Sequence, residues 1–91
     1  MQVLPEHLTA ARGLLRISQT ELATLSGVSD RTIKHFEAGK THIKEDTLWR
    51  LQTALEQCGI EFLNSGRPGV RYHPDRDRRR LTRAESAKPV E

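Results

Sequence analysis

Ser18-Gln19-Thr20-Glu21-Leu22-Ala23-Thr24-Leu25-Ser26-Gly27-Val28-Ser29-Asp30-Arg31-Thr32-Ile33-Lys34-His35-Phe36-Glu37-Ala38-Gly39-Lys40 holds two short helices and the joint between them. Ser18 and Glu21 have the spacing of a capping box. The Ser18 hydroxyl is placed to accept from the Glu21 amide, and the Glu21 carboxylate to accept from the Ser18 amide. Leu22, Ala23 and Leu25 carry the helix onward to Gly27, where a left-handed residue that only glycine tolerates cheaply stops it. A helix this short is not stable in isolation, so neighbours must hold it. Val28-Ser29 leads directly into the next helix, with Ser29 as a second N-cap. Ile33, Phe36 and Glu37 mark its inward side, and Ala38-Gly39-Lys40 ends it.

The flanks continue the helical pattern. Residues 6–16 carry Leu8, Ala11, Leu14 and Leu15 at helical spacing. Pro5 suits the first turn, and Ile17 leads out. After a loop at Thr41–Lys44, Glu45 and Asp46 sit where negative charge favours a helix start. Leu48, Leu51, Ala54 and Leu55 form the apolar stripe of this fourth helix, and Gly59 ends it. From Ile60 the period changes. Ile60-Glu61-Phe62-Leu63 and Val70-Arg71-Tyr72 alternate like strands around the turn cluster Asn64-Ser65-Gly66-Arg67-Pro68-Gly69. A two-stranded hairpin is marginal alone, so it packs on the helices or pairs with a second subunit. Beyond Tyr72 the only aliphatic residues larger than alanine are Leu81 and Val90. Such a segment cannot bury a core and reads as disordered or conditionally helical. The expected division is a helical domain at 1–59, a strand or hairpin extension and dimerisation element at 60–72, and a basic tail at 73–91.

Composition narrows the chemistry. The chain has 91 residues, 35% hydrophobic and 30% charged, enough for one small core. Barrel enzymes and doubly wound nucleotide folds are excluded by size. Cys58 is the one cysteine, so no intrachain disulfide or cysteine-rich zinc site can form; it reads as a packing residue. His7, His35, His42 and His73 show no HxxxH or HExxH spacing, so neither a metal nor another cofactor is expected. No serine has nucleophile-elbow context, and no constellation meets the geometric needs of catalysis. An enzyme is not expected. The sequence shows no signal peptide and no membrane span. Charge is uneven: residues 1–66 hold seven Lys/Arg against eight Asp/Glu, whereas 67–91 hold eight against four. The basic excess lies in the tail, while Arg31, Lys34 and Lys40 cluster locally.

Two short helices joined through Gly27 make a helix-turn-helix. In order, Ser18-Gln19-Thr20-Glu21-Leu22-Ala23, Ser26-Gly27-Val28-Ser29, Thr32-Ile33 and Phe36-Glu37-Ala38-Gly39-Lys40 resemble the phage-repressor-like helix-turn-helix regulators of the Cro/cI or XRE type. The resemblance covers about residues 6–58. It implies an all-α domain of four to five helices, lambda-repressor-like, with the hairpin or strand extension and the flexible basic tail appended. Small Ala23 lets two helices cross closely, and Val28, Ile33 and Phe36 should bury against Leu15, Leu22 and Leu51. The opposite side then shows Asp30, Arg31, Lys34 and His35. By resemblance, base readout falls on Asp30, Arg31, Thr32 and His35, with Lys34 a base reader or phosphate anchor. Gln19, Ser29, Lys40 and Thr41 fall at phosphate-binding positions. Asp30 departs from the family, where neutral or basic residues are commoner. It accepts from cytosine N4, pairs with Lys34 or serves the helix N-terminus. Arg12 and Glu37 resemble a structural, partly buried salt bridge between the first and third helices.

The resemblance implies a sequence-specific regulator that binds double-stranded DNA, most simply a repressor. It would act as a homodimer on a palindromic operator, in the cytoplasm and associated with the nucleoid. Two other readings compete. One is the antitoxin of a toxin–antitoxin pair, autoregulating its operon and holding its toxin through the C-terminal extension. The other is a protein-interaction module without DNA binding, suggested by the near-neutral head and Asp30. Trp49 is either a rim residue packed on the first helix or a contact with a second subunit. Arg76-Asp77-Arg78-Arg79-Arg80-Leu81-Thr82-Arg83 is a phosphate-tracking segment, a solvated linker or a segment that orders on a protein partner.

Overall fold

The start of the first helix is fixed by a histidine. The Leu4 amide donates to Nδ1 of His7 at 2.9 Å, and Pro5 fills the first turn where no donor is needed. In the computed structural model, which describes residues 3–64 and 66–79, α1 runs Pro5–Leu15. It closes on Arg16, a non-glycine residue in the left-handed region at φ 57°. The capping box then opens α2 (Gln19–Ser26), with both reciprocal bonds at 3.0 Å. Gly27 turns the chain at φ 75° into α3 (Asp30–Glu37). After the loop comes α4 (Glu45–Gln57), with Glu45 and Asp46 in its first turn.

The apolar stripes meet in one cluster. Leu8, Ala11 and Leu15 of α1, Leu22 of α2, Ile33 and Phe36 of α3, and Leu51 and Leu55 of α4 are all buried in it. Truncating a fully buried leucine such as Leu51 costs about 2–5 kcal/mol. The hairpin pairs β1 (Ile60–Leu63) with β2 (Gly69–Tyr72), antiparallel, with Ile60 opposite Tyr72 and Leu63 opposite Gly69. Ile60 and Phe62 face the core. β1 packs on α4 and β2 on α1, so the helices supply the support a two-stranded sheet lacks. His7 is 2% exposed. Its Nε2–H donates to the Leu63 carbonyl at 3.3 Å, and its ring meets Phe62 edge-on.

The segment after Tyr72 departs from the expected tail. The His73 amide donates to the Gly59 carbonyl at 2.7 Å, and a short 3₁₀ turn follows at Pro74–Arg76. Gly59 sits at φ 92°, and any side chain there would collide with the His73 carbonyl. Asp77 is 1% exposed and accepts from the Tyr72 hydroxyl at 2.9 Å and the Arg79 guanidinium at 3.0 Å. This polar anchoring leaves no trace in apolar periodicity, which is why 73–79 read as tail. The rest of that segment, residues 80–91, lies outside the described residues. Trp49 is 64% exposed, too open for a residue packed on α1. Among the described residues no helix is long and apolar enough to cross a membrane, and no group of three or more His, Cys, Asp or Glu is placed to hold a metal ion.

Candidate nucleic-acid interface

Ser29 sets where α3 begins. Its Oγ accepts from the Thr32 amide at 3.1 Å and donates to the Thr32 hydroxyl at 2.8 Å. The two hydroxyls therefore serve each other, and both sit at the helix N-terminus. Burial of Ile33 and Phe36 sets the rotation of α3. The opposite face follows from the 3.6-residue period: Asp30, Arg31 and Lys34 are exposed, and Thr32 and His35 half-buried.

α3 stands as a ridge between two troughs. The trough on its α2 side is about 460 Å³ and is lined by Gln19, Thr20, Asp30, Arg31, Lys34 and His35. The trough on its α4 side is about 490 Å³, and its polar lining includes Arg31, His35, His42, Lys44, Thr47 and Arg50. Arg31 and His35, one helical turn apart, line both and so form the crest. No carboxylate lines the α4-side trough, whereas Asp30 stands among the cations of the other. Among the described residues the ion pairs are Arg12–Glu37, Arg71–Glu61, His73–Glu61 and Arg79–Asp77. Arg31, Lys34, Lys40, Lys44 and Arg50 belong to none of them, so their charge faces outward uncommitted. Asp30 makes no ion pair with Lys34.

The angle of the ridge is held from behind. Arg12 of α1 donates from Nε to Glu37 Oε2 and from Nη2 to Glu37 Oε1, each at 2.7 Å. Its Nη1 reaches the Ile17 carbonyl at 3.1 Å. Gln19 Nε2 adds a third bond to Glu37 Oε1 at 3.0 Å. Burial pushes the Glu37 carboxyl up. The bonds from Arg12 and Gln19, with the Arg12 charge, outweigh that and hold it below the usual carboxylate range. The Glu37 bond in turn raises the Arg12 guanidinium, against the opposing effect of burial. One cluster thus ties α1, α2 and α3 together.

The Gln19 side chain is half-buried and turned onto Glu37, an engagement the sequence did not suggest. Lys40 and Thr41 are exposed just beyond α3, where the Lys40 amide donates to the His35 carbonyl at 2.9 Å. Four residues of the α4-side trough, His42, Lys44, Thr47 and Arg50, were not anticipated. The signal was present: Lys44, Thr47 and Arg50 are spaced by three, one stripe along the start of α4.

This architecture defines a class. The model of a helix-turn-helix family matches residues 8–63, and the chain belongs to that family. Among solved structures it is similar to the DNA-binding domain of the P22 c2 repressor (residues 1–76 of that protein, determined by nuclear magnetic resonance). Identity is 33% and the TM-score 0.54, over 60% of this chain and 72% of that one. The fold is phage-repressor-like: four helices with a short antiparallel hairpin.

Proposed function

We propose that this protein is a sequence-specific, double-stranded-DNA-binding transcriptional regulator, a repressor, that inserts α3 into the major groove. The observation that carries the reading is the outward ridge of α3, with Arg31 and His35 on its crest and a cation-bearing trough on either side. A B-DNA major groove is about 12 Å wide and admits one helix, whose N-terminal residues reach base edges. Arg31 presents a fork that fits O6 and N7 of guanine. Asp30, Thr32, Lys34 and His35 complete the base-reading set. Gln19, Ser29, Lys40 and Thr41 face the phosphates, with the α2 N-terminus offering amides to an anion. Arg12 and Glu37 hold the ridge at its angle and touch no DNA. The likeness to the P22 c2 repressor domain supports the same reading.

The hairpin supports a homodimer. It is a two-stranded sheet, and a second copy would add its own strand at an outer edge. A two-fold dimer reads a palindrome with half-sites about 10 bp apart. Selection of bound duplexes from a random pool tests this: the expected result is an enriched palindrome of that spacing. No enriched motif, or one asymmetric site, overturns it.

A further inference from the structure

We infer that the cavity behind the turn between α1 and α2 is an effector site for a small zwitterion of the α-amino-acid class. The effector role rests on the DNA-binding reading; the binding site itself does not. Arg16 marks the place. Among the described residues it is the one non-glycine residue at positive φ, 57°, whereas the other left-handed positions are Gly27, Gly39, Gly59 and Gly66. Glycine would close α1 there without strain. Backbone strain of this kind gathers where a particular side chain is needed.

The cavity supplies the need. Its volume is about 570 Å³, within the range of small-molecule sites. Leu14, 44% exposed, gives it an apolar wall with Leu15 and Ile17. Arg16 and Glu21 bring it one charge of each sign. They do not pair with each other, and neither belongs to an ion pair among the described residues. Glu21 accepts from the Ser18 amide through Oε1, which leaves its charge without a cation. The other charges at the cavity are committed: Arg79 donates to Asp77 at 3.0 Å, and the Tyr72 hydroxyl donates to the same carboxylate. A duplex backbone is anionic throughout and would meet Glu21 as a repelling charge. A molecule with a carboxylate for the Arg16 fork, an ammonium for Glu21 and a short apolar side chain for the leucine wall satisfies all three. Such a ligand also bears on α3. The Ile17 carbonyl accepts from Arg12 Nη1 at 3.1 Å, and Arg12 holds Glu37 at the end of α3. Occupancy fixes the α1–α2 turn and, through Arg12, the angle of α3, so it favours the DNA-binding conformation.

The test uses the full chain. Melting is followed with each standard α-amino acid at millimolar concentration, and affinity is measured by calorimetry for any that raises the melting temperature. The expected result is a saturable rise with an amino acid of apolar side chain, and none with its amide or with the corresponding acid lacking the amine. Arg16→Gly and Glu21→Gln should each weaken binding roughly tenfold or more, as for a lost bond to a charged group. Both variants keep the fold: glycine is at ease at φ 57°, and the glutamine carbonyl still accepts from the Ser18 amide. The bound amino acid should also tighten the selected operator, and both variants should abolish that gain. No amino acid that raises the melting temperature, or full affinity in both variants, overturns the site. Binding that leaves operator affinity unaltered overturns the effector role. Inorganic phosphate binding as well as any amino acid, with Arg16→Gly weakening the operator in their absence, overturns the site in favour of a DNA-phosphate contact. A chain that binds the amino acid but no duplex at low salt fails the DNA-binding reading and leaves the site standing.

Discussion

Arg12 and Glu37 stand in a two-bond pair at 2.7 Å per bond, with only 18% and 7% of their side-chain surfaces exposed. A buried pair with one member removed leaves an uncompensated charge. Glu37→Ala should therefore lose about 3–5 kcal/mol of stability, read from urea unfolding. Replacing both residues with apolar ones, as in R12M/E37L, should cost markedly less than either single change. Equal losses in the single and double variants would show that the pair's electrostatics are not what holds α1 to α3.

The same carboxylate makes stability depend on pH. Glu37 is held below its ordinary range in the folded chain, so the folded state binds its proton less readily than the unfolded one. Its contribution is present above the unfolded carboxylate range and is lost as pH falls through the depressed folded value. Unfolding followed from pH 7 downward should show the wild type losing stability below about pH 4.5, with a slope that Glu37→Gln reduces. An identical slope in that variant would assign the acid sensitivity to other carboxylates.

Gln19 has two faces to its role. Its side chain bonds Glu37, and it is the first residue of α2, where the proposed reading places a backbone phosphate. Gln19→Ala should lose about 1.5–3 kcal/mol of stability, as for a bond to a charged group, and weaken DNA binding as well. Binding measured well below the melting temperature separates the two. A variant weakened in affinity alone, with unfolding unchanged, would show that the bond to Glu37 contributes nothing.

Much of this was legible in the residues. The Ser18–Glu21 box, Gly27, the Ser29 cap and the apolar positions of α3 specify helix limits and rotation through local rules, and the structure follows them. The outward face of α3 came with them. What was hidden depends on buried polar contacts that apolar periodicity does not report, distant for His7 and local for Asp77. His7 shows only a lack of metal-ligand spacing in the sequence, and its role emerges when Leu63 and Phe62 are placed beside it. Asp77 reads as one more charge in a polar segment until Tyr72 and Arg79 close on it. Buried polar groups are specified by their polar partners, and such partners, near or far along the chain, leave no mark in the apolar period.

The crest and the α4-side trough should separate base reading from phosphate binding. Arg31→Ala removes a guanine-type fork, so discrimination between the selected operator and a single-base variant should shrink by about 1–3 kcal/mol. Lys44→Ala with Arg50→Ala should instead weaken all duplexes alike and flatten the salt slope by about 1.8. Competition binding against operator variants, repeated across salt, distinguishes the two patterns. Loss of discrimination in the trough variant, or a uniform loss in Arg31→Ala, would exchange their roles.

Gly59 holds the closing turn, and Cys58 beside it reports on that turn. Gly59 is left-handed and lies against the His73 carbonyl, so Gly59→Ala must strain the backbone and push the 73–79 segment away. A misplaced residue of this kind costs about 1–3 kcal/mol. Cys58 is 2% exposed, and burial pushes its thiol up from the ordinary range. Thiol reagents should label the wild type only through opening of the fold. Gly59→Ala should speed labelling at neutral pH more than it lowers the global unfolding free energy, because the segment lifts locally. Labelling that tracks global unfolding alone would show that 73–79 opens with the core rather than before it.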